Sequence, residues 1–154
     1  QGWTLWRQQD FAKAKSKFAK AVAVDSKLDN AWNGLGWALL NEDKPKKAIE
    51  AFEKCLALSE WQGGHGSAWH GLGQANFRIG NYDATEEYWL KSKKVSESWH
   101  GLVRLYLLQG RFKEADKYLT ELEGAQGFDE SELTQYRQAI ENMKLDDSLR
   151  RQIA

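Results

Sequence analysis

Apolar residues along this chain recur at the spacing of one helical face. Trp32, Leu35, Gly36 and Leu39 fall on i, i+3, i+4 and i+7, a single stripe. After the polar break Asp43-Lys44-Pro45, a second stripe runs through Ile49, Phe52, Leu56 and Ser59. Pro45 suits the first turn of that second helix, where its missing N–H costs nothing. Gly80-Asn81 and Gly110-Arg111 mark equivalent breaks further on. The pattern predicts pairs of antiparallel helices joined by tight turns. Near the end, Asp129 and Glu132 have the spacing of a capping box, and Leu133, Tyr136, Ile140 and Met143 form one apolar stripe. A last helix with a polar far side is what closes a stacked array.

The pairs repeat. Trp32-Asn33-Gly34-Leu35-Gly36 returns as Trp69-His70-Gly71-Leu72-Gly73 and again as Trp99-His100-Gly101-Leu102-Val103. Thirteen residues after each Leu stands a small residue (Ala48, Thr85, Ala115), and four beyond it a large one (Phe52, Trp89, Leu119). Gly2, Leu5, Ala14 and Phe18 fit the later part of an earlier copy. A recurring Trp-x2-Leu-Gly, then Ala-x3-Phe, resembles the tetratricopeptide repeat over about residues 1–123. The family's usual closing proline is missing, Asn76 stands for an aromatic and Val103 for a glycine.

The resemblance implies an all-α, α-α superhelix, a right-handed solenoid of antiparallel helix pairs with a C-terminal capping helix. We expect one domain over 1–154: a partial first repeat at 1–27, repeats at 28–62, 66–95 and 96–125, and the capping helix at 128–154. Glu60 to Gly66 reads as a glycine-rich loop, and the junction after Lys94 as a short one. The chain opens on Gln1 with no signal-peptide pattern and reads as a fragment or processed product. Copy one starts inside its first helix, so self-association through this truncated end, as a homo-oligomer, is an expectation.

Composition narrows the function. Twenty-two Lys plus Arg balance 22 Asp plus Glu, which argues against a nucleic-acid partner. No apolar run approaches the roughly 20 residues of a membrane span, so no membrane insertion is expected. The reading is of a soluble chain, cytoplasmic in preference to exported, from a larger bacterial parent. One cysteine, Cys55, rules out an internal disulfide, and its place in the repeat makes it a core residue. Eight tryptophans are far more than an average domain carries, which draws attention to where they fall.

On each first helix, the residues opposite the packed stripe would combine into one concave surface. The partial copy offers Trp3, Trp6 and Arg7, and copy two Asn33, Trp37, Leu40 and Asn41. Copy three offers His70, Gln74, Phe77 and Arg78, and copy four His100, Arg104, Leu107 and Leu108. The resemblance implies that such positions hold peptide ligands. Arginines pair with carboxylates and large aromatics dominate interfaces, so the expected ligand is an extended, partly acidic peptide or protein segment. The competing reading of Trp37 and Phe77 is that they fill gaps between helices. The family's carboxylate clamp for chaperone tails is absent in pattern: Asn33 fits one position, but Trp37 stands where an Asn belongs.

Gly34, Gly36, Gly71, Gly73 and Gly101 lie inside helices at about 1 kcal/mol each, about 5 kcal/mol together. For Gly36 and Gly73 the resemblance implies close approach of the paired helix. Gly34, Gly71 and Gly101 read as facing the groove margin, admitting a neighbouring helix or a ligand backbone. No catalytic motif emerges. Gly71-Leu72-Gly73 begins like a dinucleotide fingerprint but sits in a helix and lacks the third glycine. His70 and His100 have no third metal ligand in prospect, and Asp83, Glu86 and Glu87 read as a solvated face. No metal, cofactor or enzymatic activity is expected. The function read here is a non-catalytic interaction module of a larger protein. Its alternatives are a structural domain docked on a catalytic domain of its parent, or a self-association module.

Overall fold

The computed structural model describes residues 1–59, 65–92, 95–124 and 129–153. These residues are all-α, with no strand among them. Residues 1–92 form one compact unit: α1 (Gly2–Arg7), α2 (Phe11–Val24), α3 (Asp29–Asn41), α4 (Pro45–Leu58), α5 (Gly66–Arg78) and α6 (Tyr82–Lys91). Residues 93–154 form a second: α7 (Ser96–Leu108), α8 (Phe112–Glu123) and α9 (Glu130–Ile153). Most of the Glu60–Gly66 connection, the junction at 93–94 and residues 125–128 lie outside the described residues. Gly66 itself opens α5 instead of belonging to a loop.

Within each pair the turn is the same and has a clear cause. At Gly80 the N–H reaches Phe77 O (3.1 Å) and the next N–H, of Asn81, reaches Asn76 O (2.9 Å). Gly110 and Arg111 repeat this on Leu107 and Tyr106, at 3.1 and 2.8 Å. This is the Schellman closure, which needs a left-handed residue after the helix and so favours glycine. The first two pairs make the same bonds with Gln9 (φ 61°) and Asp43 (φ 58°) in the left-handed position. Pro45 opens α4 as expected, while Asp10 and Asn81 accept from the Lys13 and Ala84 N–H groups to cap α2 and α6.

The core of the first unit draws on both helices of each pair, with its large rings on the second helices. Phe18, Phe52 and Trp89 are buried, with Ala14, Ala48, Ala51, Leu72 and Ala75 around them. Glycines seat those rings. A Cβ at Gly36 would stand 2.6 Å from the Phe52 ring, and one at Gly2 would stand 2.6 Å from Phe18. Cβ atoms at Gly34, Gly71 and Gly73 would overlap Phe18, Phe52 and Trp89. Gly34 and Gly71 are therefore buried against the ring of the preceding pair, and not at a groove margin where a ligand backbone could approach. The neighbour they admit is an aromatic side chain. Trp32 and Trp69, the heads of their copies, lie under Lys54 (4.4 Å) and Lys91 (4.7 Å), and Trp69 stacks on Tyr88.

In the second unit, Leu102, Val103, Leu105, Tyr106, Ala115, Tyr118, Leu119, Leu122, Leu133 and Ile140 are buried together. α9 packs on both α7 and α8 through the Leu133–Ile140 stripe, with Tyr136 and Met143 half-buried beside it. The capping box does not form. The Asp129 carboxylate accepts from the Ser131 N–H (2.8 Å), and Glu132 turns away toward α7.

Candidate functional site

α3 and α5 lie side by side in the first unit, and one serine ties them together. Ser67, in the first turn of α5, accepts hydrogen bonds at Oγ from Asn33 Nδ2 (3.2 Å) and from the Trp37 indole N–H (3.0 Å). Its own hydroxyl lies 3.5 Å from Asn33 Oδ1. Asn33 is 2% exposed, so its amide serves this internal bond and sits behind the surface. A buried amide without partners is costly, and Ser67 removes that cost while fixing the Trp37 ring. Ser67 escaped the sequence reading, although it lies one turn before His70 on the same stripe.

From Trp37 a row of rings continues. Trp37 meets the Phe52 ring edge-on at 5.5 Å and the His70 ring at 5.7 Å. His70 stacks on Trp89 at 6.1 Å, Trp89 on Phe77 at 6.0 Å, and Phe77 leans on Tyr82 at 5.4 Å. The Trp89 indole donates to the His70 carbonyl (3.2 Å), which locks the row onto α5. Trp37, His70, Gln74 and Phe77 are each half-buried: one part packs and another meets solvent. Packing and exposure thus coexist in Trp37 and Phe77, which the sequence reading set against each other.

The polar members sit differently. Arg78 Nη1 donates to the Leu40 carbonyl at 2.6 Å, a second bond to an oxygen that already accepts the Asp43 N–H at the end of α3, and lies 3.5 Å from Asp43. Leu40 is 2% exposed and belongs to the core, not to an open face, whereas Asn41 is exposed. On α1, Trp3 packs edge-on against Phe18 (4.9 Å) and Trp6 against Phe11 (4.7 Å), while Arg7 is exposed. A cleft among α1, α2 and the start of α3 is lined by Trp3, Phe18, Ala21 and Leu28, with Gln1, Lys17 and Asn30 also on its walls.

In the second unit, α9 engages the α7 residue read as groove-lining. His100 Nε2 lies 2.8 Å from Glu132, and the Tyr136 hydroxyl lies 3.2 and 3.1 Å from its two ring nitrogens. Burial, and then the Glu132 carboxylate, push the Tyr136 phenol up to about 12, with Arg104 pulling the other way. Arg104 and Leu108 are exposed, and Leu107 is half-buried. The sequence pattern places Glu132 only at a helix cap and Tyr136 only on an apolar stripe. Their distance of more than thirty residues from His100 leaves no local signal.

The remaining candidates are quiet. Cys55 is fully buried, and burial, with a smaller effect from Asp29, pushes its thiol up to about 12. Such a thiol is a core group and not a nucleophile. Among the described residues, no three His, Cys, Asp or Glu side chains are placed to hold a metal ion. No helix among them is long and apolar enough to cross a membrane.

Comparison with known proteins agrees with this geometry. Two family profiles described as tetratricopeptide repeat match residues 1–64 and 98–130, together more than half the chain. The general transcriptional corepressor trfA of Dictyostelium discoideum is 30% identical over 80 residues, 52% of this chain and 6% of that protein. The peroxisomal targeting signal receptor of Kluyveromyces lactis is 28% identical over 96 residues, 62% of this chain and 16% of that protein. The chain therefore spans only a small part of these relatives. Among solved structures, MamA matches with a TM-score of 0.70 at 18% identity, covering 96% of each chain. With the repeat, the helix pairs and the family matches in agreement, the chain belongs to the tetratricopeptide repeat family.

Proposed function

We propose that this chain is a non-catalytic interaction module whose first unit binds an extended peptide or protein segment along the face of α3 and α5. The half-exposed row Trp37–His70–Phe77 carries the reading. It offers ring faces already held in place by Ser67, Asn33 and Trp89, so little side-chain freedom is lost on binding. Aromatic side chains of this kind dominate interface energies. The relatives, a targeting-signal receptor and a corepressor by their names, are consistent with a binding role.

A partly acidic ligand is the finer part of the proposal. Asp43 already sets a carboxylate 3.5 Å from Arg78, and a ligand carboxylate would take its place. Arg7 offers a further exposed guanidinium group in this unit. The test is a peptide array probed with the 154-residue chain, with hits titrated against Trp37→Ala and Arg78→Ala. Trp37→Ala should weaken the hits about tenfold or more, a loss of about 1.4 kcal/mol or more. Arg78→Ala should weaken acidic hits selectively. Hits that bind both variants like the parent protein defeat the proposal.

A second reading, self-association at the first pair, is favoured by the cleft that Trp3, Phe18 and Leu28 line. Leu28→Glu should abolish any concentration-dependent increase in mass that arises there. Association as strong in that variant as in the parent chain excludes the cleft.

A further inference from the structure

Beyond its packed stripe, α9 carries two large aliphatic side chains in water: Leu145 is 62% exposed and Leu149 47%. They are four residues apart, so they share one bearing on the helix and form a short seam. Leu133 and Ile140, which pack inside the unit, point elsewhere. The charges beside the seam are ordered. Asp146 and Arg150 lie on one flank of it and bond each other at 2.7 Å, whereas Asp147 and Arg151, bonded at 2.9 Å, lie on the far side of the helix. Along this turn the sign runs from negative to positive.

We propose that this turn of α9 pairs with the same turn of a second copy of the chain, antiparallel across a two-fold axis. Such an axis sets Leu145 of each copy against Leu149 of the other, which covers both side chains at once. It also keeps Asp146 and Arg150 on the same flank while reversing their order along the axis. Asp146 of one copy then lies beside Arg150 of the other. A parallel pair puts like residues at the same level and loses this match. The pattern is thus self-complementary in one orientation only. Two leucines per copy cover far less than the roughly 800 Å² per partner of a stable dimer. The pairing is therefore weak, concentration-dependent and partly screened by salt. It is independent of the peptide-binding reading.

Sedimentation velocity on the 154-residue chain, from roughly 10 μM to roughly 1 mM, tests it. The average mass should climb from 17.7 kDa toward twice that value. In a Leu28→Glu background, Leu145→Glu with Leu149→Glu should remain monomeric with unchanged helical circular dichroism. Asp146→Arg should weaken association at least fivefold, and adding Arg150→Asp to it should restore association. A wild-type chain that stays monomeric overturns the proposal. So does a leucine double variant that associates as strongly as the parent chain, or a charge exchange that fails to rescue.

Discussion

Substituting Gly71 by alanine separates two opposed effects. In an exposed helix the change would stabilise by about 1 kcal/mol, because alanine is the better helix former. Here the added Cβ overlaps the ring of Phe52, a side chain with 0% exposure that also rests against Gly36 at 2.6 Å from where a Cβ would stand. A ring pressed by two helices has nowhere to swing. Relief must come from α5 moving off α4 or from Phe52 leaving its rotamer. Overpacking of this kind costs about 1–3 kcal/mol, and this site belongs at the upper end because the obstacle is a ring and not a flexible tip. Net of the helix gain, Gly71→Ala should destabilise by about 1–2 kcal/mol. Urea unfolding followed by circular dichroism measures this, and the midpoint should fall with little change in slope. The control is Phe52→Leu, which removes the obstructing ring atoms. In that background Gly71→Ala should be neutral or stabilising, a coupling of at least about 1 kcal/mol. If Gly71→Ala is as stable as the parent, or costs the same in both backgrounds, the seating of the ring by glycine is wrong.

Three further expectations are independent of that one. Gln9→Gly relieves a left-handed non-glycine residue and should stabilise by up to about 1 kcal/mol, while Gly80→Ala at φ 81° should destabilise by about 1–2 kcal/mol; thermal midpoints moving in the same direction for both would contradict the turn analysis. Ser67→Ala strips the partner from buried Asn33 and from the Trp37 indole, costing about 1–3 kcal/mol and altering the near-ultraviolet tryptophan signal; an unchanged signal would show that Ser67 does not hold Trp37. Cys55 remains a thiol in the folded chain up to about 12 but ionises near 9 when unfolded, so the unfolded state binds fewer protons between those values. Stability should then fall as pH rises above 9, by up to about 1.4 kcal/mol per pH unit from this group, and Cys55→Ala should flatten the decline in urea midpoint. An identical decline in that variant would assign the loss elsewhere, with Tyr136, also raised to about 12, the next group to replace, by Tyr136→Phe.

Much of the architecture was written in short-range spacing. The stripe Trp32–Leu39, the second stripe through Phe52, and the breaks at Pro45, Gly80 and Gly110 each depend on residues within one or two turns, and all lie where expected. Helix periodicity and turn stereochemistry are local, so one sequence suffices to place them. The break at Asp43 was legible, but the left-handed residue at Gln9 was not, because glutamine does not announce that conformation; the neighbouring bonds impose it.

What tertiary structure alone decided is which partner each helix face meets. Gly34 and Gly71 differ from Gly36 and Gly73 by two positions in the repeat, yet both pairs close on rings: a face turned from its own partner helix still meets the preceding pair. Arg78 is drawn to the end of α3, Glu132 leaves its expected cap for His100, and Ser67 gathers Asn33 and Trp37. Each of these bonds joins residues thirty or more positions apart. Polar side chains choose among distant acceptors by position in space, and that choice has no periodic trace in the chain.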